Sequence, residues 1–155
     1  MKTINKCIIQ AFIDNEIDVL VHQVNCQGVM GAGIAKEIVK VFPSHYQYYK
    51  QQEMFLSNHM IDTLSSNQHI VGLFAQDKVG TYQVQTNVAA FAVALTDAVN
   101  ELIEGSPHNL PITIGFPYKI GCGLAGGSWD TISLILEDMS KLVPENITFV
   151  IYKKV

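Results

Sequence analysis

The chain has 155 residues, 48% of them hydrophobic and 15% charged, with a net charge of −4. That length and balance suit a single domain able to bury a core, and they exclude a disordered segment. All ten cationic residues are lysines scattered along the chain, so general nucleic-acid binding, which needs clustered Lys and Arg on phosphates, is not expected.

No apolar run reaches the roughly 18 residues that cross a bilayer, and no membrane partner is expected. MKTINKCIIQ lacks the apolar stretch of a secretion signal. Three cysteines, Cys7, Cys26 and Cys122, leave at least one unpaired. This usage suits a reducing compartment. A cytoplasmic monomer is the expectation.

Residues 4–9 (INKCII) and 18–24 (DVLVHQV) read as strands, with DNEID between them as a polar turn. Asp14, Glu16 and Asp18 read as solvated turn charges. The second strand is apolar on nearly every residue up to His22, the pattern of a strand covered on both faces. A helix is predicted from about Gly33 to Val41, stopped by Pro43. Ser44 is placed to cap a second, tyrosine-rich helix, SHYQYYKQQEMF. Strands follow at about 60–64 and 68–75, parted by the turn-like SSN.

Over 84–104, Val84, Val88, Phe91, Leu95, Val99 and Leu102 recur at three- and four-residue intervals, predicting a long helix with one buried face. Gly105 and Pro107 end it. Then come a strand, PITIGF, a loop, PYKIGCGLAGGS, a helix from about Trp129 to Leu142 and a last strand, ITFVIY. Ile132, Ile135, Leu136, Met139 and Val143 share one face of that helix. Trp129 is expected to pack. The alternation of strands and helices predicts an α/β class with a mostly parallel sheet between helix layers.

In such sheets ligands collect at the carboxyl ends of strands, where both glycine loops lie. Each runs strand, glycines, helix: VHQVNCQGVMGAGIAKE and TIGFPYKIGCGLAGGSWD. A helix N-terminus offers unpaired N–H donors and about half a positive charge, and glycines let an anion reach them. One such loop reads equally as a tight turn; two are better explained by a diphosphate gripped from both sides. No GK[ST] follows, so neither is a Walker loop, and GxGxxG would need glycine where Lys36 stands.

VNCQGVMGAGIA, followed by FP and a tyrosine-rich helix, and then FPYKIGCGLAGGSW, resembles the macrodomain family of ADP-ribose-binding modules. The likeness is greatest to the branch holding the yeast-type ADP-ribose 1″-phosphate phosphatase and the human-type ADP-ribosyl-glutamate hydrolase, and it covers nearly the whole chain. It implies one three-layer α/β/α macrodomain over residues 1–155, with a central mixed, mostly parallel sheet. Gly31, Ala32, Gly33 and Ile34 match the loop along the diphosphate and distal ribose. Ile120, Gly121, Cys122, Gly123, Leu124 and Ala125 match the loop on the other side. Asn25 falls near the distal ribose, and Gln10 and Tyr152 stand nearest the positions the family sets against adenine.

The resemblance also implies a chemistry. His22 through Gly28 reproduces the His-x-x-Asn-Cys-x-Gly pattern of the phosphatase-like members, so hydrolysis of ADP-ribose 1″-phosphate is the expected activity. His22 would act as acid or water-orienting group, with Asn25 positioning the ribose. The hydrolase pattern is broken: Ala125 stands in place of its aspartate, and GTYQVQTN lacks its lysine, with Lys78 several residues early. A hydrolase of ADP-ribosyl adducts and a non-catalytic reader or sink remain alternatives. So does the reading of His22 as a satisfied core residue.

Cys26 and Cys122 are weighed as nucleophiles with His22 as base, and more simply as small residues in tight loops. His45, His59, His69 and His108 show no metal-ligand spacing, and no metal or cofactor is expected.

Overall fold

In the computed structural model, which describes every residue except 80–83, 108 and 124, strands and helices alternate along the chain. The order is β1 (Lys2–Asn5), α1 (Ile8–Ile13), β2 (Val19–Asn25), α2 (Gly33–Val41), α3 (Ser44–Lys50), β3 (His59–Thr63), β4 (His69–Gln76), α4 (Val88–Glu104), β5 (Ile112–Pro117), α5 (Trp129–Leu142) and β6 (Ile147–Lys153). The strands form one sheet ordered β1-β6-β5-β2-β4-β3. Every pairing is parallel except that of β3 with β4.

Helices cover both faces. On one, Phe91, Leu95 and Val99 of α4 and Ile132 and Leu136 of α5 pack on Val19, Val21, Val71, Leu73 and Ile114. On the other, α1 and α2 bury Ile8, Phe12 and Ile38 against Leu20, Ile70 and Val150, and Tyr49 of α3 packs with Val24, Met60 and Phe74. The expected three-layer α/β/α sandwich with a mixed, mostly parallel sheet is the observed architecture.

Several local expectations are corrected. Residues 4–9 are not one strand: β1 ends at Asn5 and the chain turns into α1, whose Ile8, Ile9, Ala11 and Phe12 are buried. That spacing is helical, and the β-branched pair at its start disguised it as a strand. α3 stops at Lys50, and Ser44 lies inside it behind Pro43 with no side-chain cap. Asp18 does more than carry turn charge, since its Oδ2 accepts from the Thr113 amide at 2.8 Å and ties β2 to β5.

The long helix begins at Val88, four residues later than its periodicity predicts. Asn87 caps it, with its side chain accepting from the Ala90 amide at 2.9 Å. Val84 is 66% exposed instead of buried. Residues 84–87 run outside the helix, and Thr86 forms an isolated antiparallel bridge with Gln76. α5 begins and ends as predicted, and Trp129 meets Tyr118 edge-on at 5.1 Å between ring centroids.

Phe91 is fully buried between α4 and the sheet. Phe91→Ala is expected to lower unfolding stability by about 3–5 kcal/mol, read as a lower urea midpoint with an unchanged native spectrum.

Candidate functional site

Loop 26–32 after β2 and loop 118–128 after β5 face each other across a cleft of about 540 Å³. Gly31, Ala32, Gly33 and Ile34 line one wall; Ile120, Gly121, Gly123 and Ala125 line the other. Gln23, Asn25 and Gln76, from the ends of β2 and β4, supply polar side chains, and Lys119 is the one charged side chain among the described lining residues. A second cavity of about 260 Å³ adjoins it, sharing Ile34, Pro117 and Tyr118 and adding Cys7, Glu37, Tyr152, Lys153 and Lys154.

The first loop is held by Asn25. Its Oδ1 accepts from the Gln27 amide at 2.9 Å and lies 2.9 Å from the Tyr49 hydroxyl, while its Nδ2 donates to the Val29 carbonyl at 2.7 Å. Burial pushes the Tyr49 phenol up to about 12, so it stays protonated as a donor to Asn25. The loop delivers the chain to α2, whose N-cap is Ala32, with no side-chain cap and no acidic residue in the first turn. The first-turn amides of α2 therefore meet the cleft without an acceptor among the described residues, an arrangement that favours an anion.

The second loop is closed on itself. Gly127 N–H donates to the Gly121 carbonyl at 2.9 Å, Gly126 N–H to Gly123 at 3.0 Å, and Gln85 N–H to Ala125 at 2.7 Å. A Cβ on Gly127 would sit 2.5 Å from the Gly121 carbonyl oxygen, so only glycine closes the ring without moving backbone.

Neither a protein-family model nor a curated protein matches the sequence. Solved structures do match in three dimensions. The macrodomain of Thermus aquaticus DarG superposes with a TM-score of 0.76 at 19% identity, covering 97% of this chain and 96% of that one. The macrodomain of Mycobacterium tuberculosis DarG gives 0.70 at 23% identity, over 88% of each chain. Thermosipho africanus DarTG, solved in complex with ADP-ribose, gives 0.71 at 20% identity over 90% of this chain and 38% of that one. The chain has the macrodomain fold.

Within this macrodomain fold the residues expected in the site separate into three groups. Asn25, Gly31, Ala32, Gly33, Ile34, Ile120, Gly121, Gly123 and Ala125 meet at the cleft. Leu124 lies outside the described residues, as do His108 and part of the GTYQVQTN stretch. Gln10, His22, Cys122 and Tyr152 do not line the cleft. Gln10 projects from the solvent side of α1 and donates to Asp14 at 2.9 Å, because its neighbours at 8, 9, 11 and 12 take the core side. Tyr152 is buried and lines the second cavity. Cys122 is half-buried, its Sγ 3.4 Å from the Ile120 carbonyl. Burial pushes the Cys26 and Cys122 thiols up, which disfavours the thiolate a nucleophile requires.

His22 is the main correction. It is 0% exposed and faces away from the cleft, toward α3 and β3. Its Nε2 lies 2.9 Å from His45 Nε2, and His45 Nδ1 lies 2.8 Å from Asp62 Oδ2. A carboxylate only accepts, so His45 carries its proton on Nδ1 and accepts at Nε2 from His22. His22 Nδ1 is then a bare acceptor, and it has no partner among the described residues. Burial holds His22 well below the ordinary histidine pKa, with a smaller push from His45; burial also lowers His45 against the opposing pull of Asp62.

The cleft residues that sequence reasoning missed are chiefly Gln23, Gln76, Tyr118 and Lys119. Gln23 and Gln76 are legible only as strand-end amides, and their position opposite the second loop depends on the sheet register. Lys119 adopts a left-handed backbone at φ 60°. Its Nζ stands 5.6 Å from the Tyr118 ring centroid, where a cation over an aromatic face is attracted.

The buried histidine pair gives a pH signature. The unfolded chain takes up protons near pH 6.5 that the folded rings refuse, so stability is full above about pH 7 and declines as pH falls through about 6.5. The decline ends once the rings protonate within the fold. Urea midpoints between pH 7.5 and 5.5 are expected to fall in the wild type and to fall less in His22→Leu.

Proposed function

We propose that this chain binds ADP-ribose through the cleft between its two glycine loops and acts by recognising the ADP-ribosyl group. The observation that carries this reading is the pairing of two glycine-bearing walls, one ending in the N-terminus of α2 with no side-chain cap, across a cleft with Lys119 as its one charged side chain among the described residues. A diphosphate suits it: backbone N–H groups and a helix N-terminus hold phosphate without arginine. The adjoining cavity with Tyr118 and Tyr152 suits an aromatic base, and the Asn25 and Gln76 end suits sugar hydroxyls. The ADP-ribose complex of Thermosipho africanus DarTG, which shares the fold, supports the choice of ligand.

Recognition is favoured over turnover because of where His22 lies. Hydrolysis of ADP-ribose 1″-phosphate, expected from the sequence pattern, drew on that ring as acid or water-orienting group. A ring with no exposed surface, bonded to His45 on the far side of β2, reaches no ligand in the cleft. The described cleft side chains supply carboxamides, the Tyr118 phenol and a lysine, with no histidine or carboxylate among them. Removal of ADP-ribose from an adduct by the aspartate and lysine of the related hydrolase meets the same difficulty, with Ala125 lining the cleft at the aspartate's place.

A phosphorus NMR time course with ADP-ribose 1″-phosphate tests this directly. Perturbed diphosphate signals with no growth of inorganic phosphate are expected. Phosphate released in proportion to protein would return the phosphatase, and unperturbed signals at millimolar ligand would remove ADP-ribose as the ligand class.

Gly123 offers a second check, since a Cβ there meets nothing within 4 Å. Gly123→Val should fold normally and lower ADP-ribose affinity about tenfold or more by filling ligand space, a loss of about 1.4 kcal/mol readable by calorimetric titration.

A further inference from the structure

Gly121 is the node of the second loop, and what holds it comes from outside that loop. Its carbonyl takes Gly127 N–H at 2.9 Å and the Thr86 hydroxyl at 2.6 Å. Thr86 belongs to the segment before α4, where the Gln85 and Thr86 amides both reach the Ala125 carbonyl, at 2.7 and 3.2 Å. A hydroxyl has one proton. With that proton on Gly121, Thr86 Oγ1 must accept from Gln23 Nε2, which lies 2.9 Å away. This fixes the orientation of the Gln23 carboxamide.

The orientation carries a cost. Gln23 Oε1 is left buried with no donor among the described residues. It lies only 2.7 Å from the place a Cβ on Gly121 would occupy, so the Gly121 backbone, at φ +75°, rests directly on the carboxamide. An unpartnered buried carbonyl lowers stability, and an apolar side chain of the same length avoids that loss. The amide is therefore poorly explained by packing and well explained by what its other end holds.

We propose that Gln23 and Thr86 are positioning residues that seat Gly121 and set the width of the cleft, so that the second loop presents its amides to the ligand already in place. This rests on the ADP-ribose reading for the ligand's identity, but not for the strut itself. The chain Gln23–Thr86–Gly121 spans from the floor of the cleft to the far wall, and pre-ordering that wall spares the ligand the entropy of ordering it.

The test uses the intact chain with Gln23→Met, Thr86→Val, Thr86→Ser and the Gln23→Met/Thr86→Val pair. Two readouts are taken: hydrogen exchange of the Gly127 amide without ligand, and calorimetric titration with ADP-ribose. Each of the first two variants is expected to speed Gly127 exchange and to weaken ADP-ribose by about 5- to 10-fold, the loss of one hydrogen bond's worth of order. The double variant should be no weaker than the worse single one, because both cut the same strut. Thr86→Ser should restore both readouts. Gln23→Met should melt no lower than the wild type, a result that a purely stabilising role for the amide forbids.

Unchanged Gly127 exchange in both single variants would overturn the strut. Faster exchange with unchanged ADP-ribose affinity would overturn its role in positioning while leaving the ligand reading intact. Faster exchange in a protein whose wild type ignores ADP-ribose would support the strut and reject the ligand.

Discussion

Side-chain alternation along β2 is the constraint on which the rest of the site depends. Successive residues of a strand point to opposite faces. Val19, Val21 and Gln23 turn toward the α4 and α5 side, while Leu20, His22 and Val24 turn toward α1, α2 and α3. His22 is thus delivered to His45, and Gln23 to Thr86 and Gly121. A one-residue slip would exchange their roles, and the pairing of β2 with β4 from Val19↔His69 through Val24↔Phe74 fixes the register against it.

The cleft is built mainly from backbone. The first loop ends at the N-terminus of α2, which has no side-chain cap and suits negative charge in a chain without arginine, whereas the second ends at α5, whose N-terminus is capped by Ser128 and carries Asp130 in its first turn. Side chains do their work one step back. Asn25 and Tyr49 shape the first loop, and Gln23 and Thr86 support the second. These neutral groups leave the field in the cleft to amide dipoles and Lys119.

The unsatisfied buried atoms are not spread evenly. Among the described residues they are His22 Nδ1, Gln23 Oε1 and Gln85 Nε2, two at the support of the second loop and one on the opposite face of β2. A fold optimised for stability alone would replace them with apolar groups or pair them. Their gathering around β2 and the segment before α4 marks where geometry has been kept at the expense of stability, which is where local rules are expected to fail.

Much of this protein was legible in the sequence because the relevant signals are local. Glycines at strand ends, the helical spacing from Phe91 to Leu102 and the apolar run of β2 are properties of neighbouring residues, and they gave the layers, the two loops and most of the cleft walls. Three things were not local. The helical turn at 8–13 won over its strand-like residues because its buried positions fit the sheet face, which also sent Gln10 to solvent. Residues 84–87 left the long helix to reach Gln76 and Ala125, contacts made far along the chain. The motif around His22 showed a histidine beside the cleft but not which face of the sheet it would take. Sequence by itself determined which residue types stand at the strand ends; only the tertiary structure decided which of them face the cleft, because facing depends on register and on what packs against each side.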